Sequence, residues 1–171
     1  NKDINLILLL VLQKIEIVLP PRSISLLTIV FCLLLTRIVI MEKIRLKGRK
    51  LLAETLGNQY LEKRDETTND FNRPLREFSE AAAFGMIWSR PGLEKKLRSM
   101  LCLAMLTALN RPHELELHLT SAINNGCSIE EIRETLLHTV PYCGIPATLD
   151  AIKVAERVLS EKGLLPMNAD G

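Results

Sequence analysis

Apolar residues return every three to four positions through most of residues 47–162, and Gly- or Pro-bearing stretches interrupt the rhythm. The spacing predicts a helix over Lys47 to Lys63 with Leu51, Leu52, Leu56 and Tyr60 on one stripe. A polar loop, Arg64 to Asn72, follows. Pro74 suits a first helical turn, so Pro74 to Trp88 is read as a helix with Leu75, Phe78, Ala82 and Met86 inward. After the Ser89-Arg90-Pro91-Gly92-Leu93 break comes Glu94 to Leu109, the most apolar helix of the body. Its Leu97, Met100, Leu101, Ala104, Met105 and Ala108 are expected at the centre. Arg111 to Gly126 carries Leu115, Leu119, Ala122 and Ile123 on one stripe, and Gly126 suits a left-handed helix end. Ser128-Ile129-Glu130-Glu131 is a capping box opening a helix that runs to Val140, with Ile132, Leu136 and Val140 inward. A second break, Pro141 to Pro146, precedes a last helix, Ala147 to Lys162. There Leu149, Ile152, Ala155, Val158 and Leu159 are expected inward, Gly163 stops the helix, and Leu164 to Gly171 is a tail. No strand alternation, phosphate-binding glycine loop or serine-nucleophile elbow appears. The body is predicted to be all-α, with about six helices.

The first forty residues have a different texture. Leu6 to Leu12 is apolar, Pro20-Pro21 breaks the chain, and Ile24 to Met41 is apolar apart from a few hydroxyls and Arg37. A run of about 18 apolar residues can span a bilayer, so a membrane anchor is one reading. A signal peptide is disfavoured: no small-residue cleavage site follows, and Lys43, Arg45, Lys47, Arg49 and Lys50 come next. The preferred reading makes Met41 the start of the protein proper and residues 1–40 translated upstream sequence. The domains are therefore 1–40, a hydrophobic extension, and 41–171, a globular domain. A membrane is a partner only if the extension is a true anchor.

Composition sharpens this picture in two places. Aromatics are only 4% of the chain while Leu and Ala abound, which favours packed helices. The formal charge of +2 comes entirely from residues 1–40, whose four basic and two acidic residues leave 18 of each sign in the remainder. A body so balanced gives no electrostatic case for nucleic acid. The four cysteines form no C-x-x-C and no ligand spacing with the three histidines, so neither a zinc site nor a dithiol is expected. Reduced thiols in a cytoplasmic protein are the default.

The candidate chemistry lies on Arg111 to Gly126. His118 sits beside the apolar stripe, one turn after Glu114, so the two side chains can meet. A neighbouring carboxylate can fix an imidazole's tautomer and raise its pKa, giving a proton donor near neutral pH. Glu134 and His138 repeat the spacing and read as a surface pair. Arg98 stands near the first turn of its helix, an unfavourable end for a cation, and so calls for a carboxylate partner or an anionic ligand.

Several blocks together carry a resemblance. Trp88-Ser89-Arg90-Pro91-Gly92-Leu93, then Arg98-Ser99, then Glu114-Leu115 with His118, Ala122 and Asn125-Gly126, resemble the carboxymuconolactone decarboxylase family. So do Glu130 to Glu134 and Tyr142-Cys143-Gly144-Ile145-Pro146-Ala147. The resemblance spans about Leu51 to Leu159 and implies the alkyl hydroperoxidase D-like helical bundle, assembled as a homo-oligomer, a trimer or hexamer. It implies decarboxylation of a small anionic lactone in aromatic catabolism, with no cofactor, because the lactone carbonyl serves as electron sink. On that reading His118 and Glu114 are catalytic, Arg98 and Arg90 hold carboxylates, and Trp88 and Tyr142 wall the pocket. Redox members of the fold carry C-x-x-C before the histidine, and here Arg111 and Glu114 occupy those two places. A thiol peroxidase is the alternative and would need Cys143 or Cys102 to be reactive; a non-catalytic helical oligomer is another. Deletion of residues 1–40 is expected to leave fold and activity intact; circular dichroism and turnover of residues 41–171 check this, and an insoluble or inactive fragment beside an active full chain would refute it.

Overall fold

The structure is a computed structural model and describes residues 26–165. It divides into two compact units, residues 1–44 and 45–171. The first helix, α1 (Leu26–Leu56), begins well before the expected Lys47. Within the first unit its apolar side chains, Phe31, Leu33 and Ile38 among them, are exposed. Among the described residues no helix is long and apolar enough to cross a membrane. The Leu6 to Leu12 run, the Pro20-Pro21 break and the tail beyond residue 165 lie outside the described residues.

Among its described residues the second unit is built of helices joined by turns, as the periodicity predicts. Gly57, with φ of +93°, ends α1 and splits the helix expected over Lys47 to Lys63. Helices α2 (Asn58–Glu66) and α3 (Arg73–Phe78) follow, joined by a turn in which Asn69 Oδ1 accepts from the amides of Phe71 and Asn72. Then α3 widens into a π-helix, Ser79–Trp88. The remaining helices are α4 (Lys95–Ala108), α5 (Pro112–Asn124), α6 (Ile129–Leu137), the single turn α7 (Val140–Cys143) and α8 (Ile145–Glu161). The turn α7 falls inside the stretch expected to be a break. The capping box is present: Ser128 Oγ accepts from the Glu131 amide at 3.1 Å, and Glu131 Oε2 accepts from the Ser128 amide at 2.8 Å. Gly126 is left-handed, φ +84°, as expected.

Two inward faces differ from expectation. Over 74–88 the spacing placed Leu75, Phe78 and Met86 inward, yet all three are exposed, and Glu80, Ala81, Phe84 and Gly85 are buried instead. Leu75 and Phe78 belong to α3, which buries none of its residues; at Met86, bonds of i→i+5 type change the angular step per residue, so a 3.6-residue pattern selects the wrong face. In α4 the buried row is Ser99, Leu103 and Thr107, while Leu97, Leu101 and Met105 form an exposed apolar row two positions away, on nearly the opposite side of the helix. Burial of the small hydroxyls lets α4 lie close against its neighbours; Thr107 Oγ1 donates to its own helix at Leu103 O. In α8 the stripe held except at Leu149, which is exposed.

Two apolar clusters result. The larger joins α4, α5, α6 and α8 through Leu103, Leu115, Leu119, Ala122, Ile132, Leu136, Ala155 and Val158. The smaller gathers Leu51, Leu52, Leu56 and Phe84, with Trp88 and Leu117 against it. Helix α5 serves both, facing the first with Leu115 and Leu119 and the second with Leu117.

Beside the second cluster sits a buried acid. Glu80, 2% exposed, accepts from Arg45 Nη1 at 2.8 Å, Arg49 Nη1 at 3.0 Å and Arg64 Nη1 at 2.6 Å. The carboxylate thus fastens α1 and α2 to the π-helix. The helices approach so closely at Gly48 that a Cβ there would lie 1.8 Å from Glu80 O and 2.6 Å from the Gly85 amide nitrogen. Both obstacles are backbone and cannot swing aside. Gly48→Ala is therefore expected to destabilise the fold by about 3 kcal/mol or more, at the upper end for overpacking. Urea unfolding checks this, and a variant within about 0.5 kcal/mol of the parent would show that the two helices can separate without cost.

Candidate active site

Pro112 occupies the first turn of α5, where its missing N–H costs nothing. The helix then presents Glu114, His118, Ser121 and Asn125 along one side, at spacings of four, three and four. The lower end of this stripe is a buried hydrogen-bonded cluster. Asn125 Nδ2 donates to Ser99 Oγ at 2.9 Å and to Ser121 Oγ at 3.4 Å, and the two hydroxyls are 3.5 Å apart. Ser99 and Ser121 are completely buried. The cluster ties α4 to α5 and was not singled out from sequence, because serines in a helix carry no periodic signal of their own.

His118 lies one turn above Ser121 and is half-buried. Its Nδ1 is buried and has no hydrogen-bond partner among the described residues. Desolvation by burial lowers the imidazole pKa, and the Glu114 charge offsets this only in part. This reverses the expected upward shift. The reason is geometric. The Glu114 side chain is 46% exposed and approaches Arg111 Nε at 3.8 Å, while no bond or ion pair joins it to His118 among the described residues. The carboxylate acts on the imidazole through space and does not hold its ring.

The other expected site residues are dispersed. Arg98 has no described carboxylate within 4 Å; its Nε donates to Leu93 O at 3.1 Å and its Nη2 to Arg90 O at 3.2 Å. It therefore clamps the 89–93 loop to the start of α4. Arg90 is exposed and joins that clamp through its backbone carbonyl. Trp88 stacks on Phe84, ring centroids 5.6 Å apart, against the smaller cluster. Tyr142 is 76% exposed, its ring 5.4 Å from that of His138. No hydrogen bond links any of these four to His118. Glu134 and His138 are both exposed and make no ion pair with each other; they line an open apolar groove of about 890 Å³ with Leu97, Leu101 and Pro141.

Comparison with known proteins places this stripe in context. A family model described as the carboxymuconolactone decarboxylase family matches residues 74–157, from α3 through most of α8. The chain is 38% identical over 120 residues to the 4-carboxymuconolactone decarboxylase of Acinetobacter baylyi, covering 70% of this chain and 90% of that protein. The chain belongs to the carboxymuconolactone decarboxylase family. It is also 37% identical over 115 residues to the nitrosuccinic acid decarboxylase of Metarhizium robertsii, covering 67% of this chain and 80% of the relative.

Two thiols of this family member are poorly suited to redox work. Burial raises the thiol pKa of Cys102, and burial is also the first cause of a raised value at Cys127, whose Sγ contacts Lys96 O at 3.7 Å. All four cysteines are unpaired, and Arg111 and Glu114 face one another where a dithiol would sit.

The histidine makes a sharp prediction. A folded-state pKa below the ordinary value of 6.5 means that the unfolded chain binds the His118 proton more readily. This contribution to stability is present above pH 6.5 and is lost as pH falls through the folded-state value. NMR titration should find His118 still neutral at pH 6.5, and Glu114→Gln should move its midpoint lower still. A midpoint above 6.5 in the parent would contradict the arrangement described.

Proposed function

We propose that the chain is a cofactor-independent carboxy-lyase acting on a small carboxylated lactone of the carboxymuconolactone type. The 38% identity over nine-tenths of a 4-carboxymuconolactone decarboxylase carries this reading. His118, half-buried with an unpartnered Nδ1 on the wall of the larger core, supports it.

Such a substrate loses CO2 from a carboxylate conjugated with the lactone carbonyl. The electron pair of the breaking C–C bond moves into that carbonyl, giving a dienolate, and a proton must then reach carbon. His118 is the proton carrier. Burial disfavours its charged form in the free protein. A bound anion supplies the missing negative charge, which favours the imidazolium where Glu114 alone does not. The proton is thereby loaded as substrate arrives. Partial burial also keeps water from the dienolate and from the carboxylate that leaves. Arg98 positions the 89–93 loop through its two carbonyl contacts, and Arg90 on that loop is the exposed cation left to meet a carboxylate. Trp88 supports the loop from the core, and Tyr142 stands on the rim of the His138 groove.

The Metarhizium relative favours a second substrate class. In nitrosuccinic acid a nitro group takes the electron pair in place of the lactone carbonyl, and the same single protonation at carbon follows. Assays on both substrates decide between them. The exposed row Leu97, Leu101 and Met105, with the groove beside it, supports assembly with further copies of the chain. The same family reading supports a cytoplasmic protein.

His118→Ala should lower kcat by roughly 100-fold while far-ultraviolet circular dichroism stays unchanged. In the parent, the high-pH limb of kcat should lie above that of kcat/KM, because the first reports the substrate complex and the second the free enzyme. A folded His118→Ala variant with near-full turnover on both substrates would remove the assignment.

A further inference from the structure

On a different face of α5 from His118, the structure gathers cations that the proposed reaction does not use. His113, Glu116, Leu117 and Thr120 of α5 line a cleft of about 410 Å³ with Tyr60, Lys63 and Arg64 of α2, Thr67, and Arg76 of α3. The two guanidiniums are held side by side by their own backbone. Arg64 Nη2 donates to Arg76 O at 2.8 Å, and Arg76 Nη1 donates back to Arg64 O. Arg76 is further fixed by Thr68 Oγ1 at 2.6 Å and Thr67 Oγ1 at 3.0 Å.

The charges around them do not close. Glu80 takes Arg64, but it is shared with Arg45 and Arg49. Asp65 is taken by Arg49. Glu116, the acid lining the cleft, is held by both terminal nitrogens of Arg157. Arg76, half-buried, has no described carboxylate within 4 Å, and neither has Lys63. Arg64 spends Nη1 on Glu80 and Nη2 on Arg76 O and Ser79 Oγ, and Thr67 Oγ1 donates to Lys63 O and Arg64 O, so it is the Arg76 guanidinium, the Lys63 ammonium and the Thr120 hydroxyl that line the cleft with little acid left to balance them. Fixed guanidiniums suit planar oxyanions, which they bind by paired hydrogen bonds.

We propose that this cleft binds a small oxyanion of charge two, a dicarboxylate or a phosphate, at a site separate from His118. Arg76, held in place by Arg64, grips one oxyanion group and Lys63 completes the charge, while Thr120 supplies a hydroxyl from α5. Since α5 carries both the cleft and His118, an occupant also braces the helix that presents the histidine.

Isothermal titration of the full chain with succinate and with inorganic phosphate, at ionic strength held constant with chloride, tests the site and tells the two chemistries apart. Saturable binding of one or both is expected. Lys63→Gln should weaken it about threefold, as for one exposed cation, and Arg76→Gln about tenfold or more. Arg76→Lys, which keeps the charge, should recover part of the loss, and circular dichroism reports whether each variant folds. His118→Gln should leave the affinity unchanged. The proposal is overturned if neither anion binds saturably, if Lys63→Gln has no effect, or if His118→Gln abolishes binding. Loss of decarboxylation with anion binding intact would fault the proposed reaction and leave this site standing.

Discussion

The second unit hangs on one buried carboxylate. Glu80 accepts from arginines on two helices while standing on a third. Burying a carboxylate costs several kcal/mol, and a single partner rarely offsets it. Three donors change the sum, because they fill the oxygen lone pairs and let two of the charges remain partly in water. An arrangement of this kind adds less to total stability than it does to uniqueness. Glu80 has one place where its charge is met, and that place fixes the rotation of the π-helix. Gly48 acts in concert, since only a residue without Cβ lets α1 come near enough for Arg45 and Arg49 to reach.

From that anchor the order of the molecule runs outward. A fixed π-helix sets Phe84 and Trp88 into the smaller cluster, and Leu117 of α5 packs against the same cluster. Leu115 and Leu119 on the next faces of α5 then build the larger one. The polar stripe with His118 is what remains of the helix circumference between its packed faces and the cleft. Its buried hydroxyl cluster with Ser99 holds α4 and α5 in register, so the depth at which His118 sits is set by packing.

The all-α class, the α5 stripe, the α6 capping box and the left-handed Gly126 were legible because each is a local rule written within a few residues. The faces of α3 and α4 were not. Met86 obeys a helical period that the π-helix does not have, and Leu75 and Phe78 stand on α3, none of whose residues is buried. In α4 two apolar rows compete with a hydroxyl row, and tertiary packing buried Ser99 and Thr107 instead of Leu101 and Met105. At the site, Glu114 and His118 were found by spacing, yet the direction of the shift was misjudged. Spacing shows that two side chains can meet, not that a nearby arginine draws one of them towards water. Arg98 was read as a cation calling for a carboxylate or an anionic ligand, and no described carboxylate lies within 4 Å of it. That its partners are carbonyls of a neighbouring loop depends on how the loop folds back. Arg64 and Arg76, twelve residues apart across a polar loop, gave no pattern at all before the turn brought them together.

The π-helix also bears on how this chain tolerates changes of length. An i→i+5 ladder holds one more residue per hydrogen-bonded turn than an α-helix. Removing a single alanine from Ala81 to Ala83 can be absorbed by a switch of ladder, whereas in α5 it would turn every later side chain by about 100°. Indels therefore have one sheltered position in the core of the domain, between the acid that anchors the fold and the tryptophan that leads to the Arg90 loop.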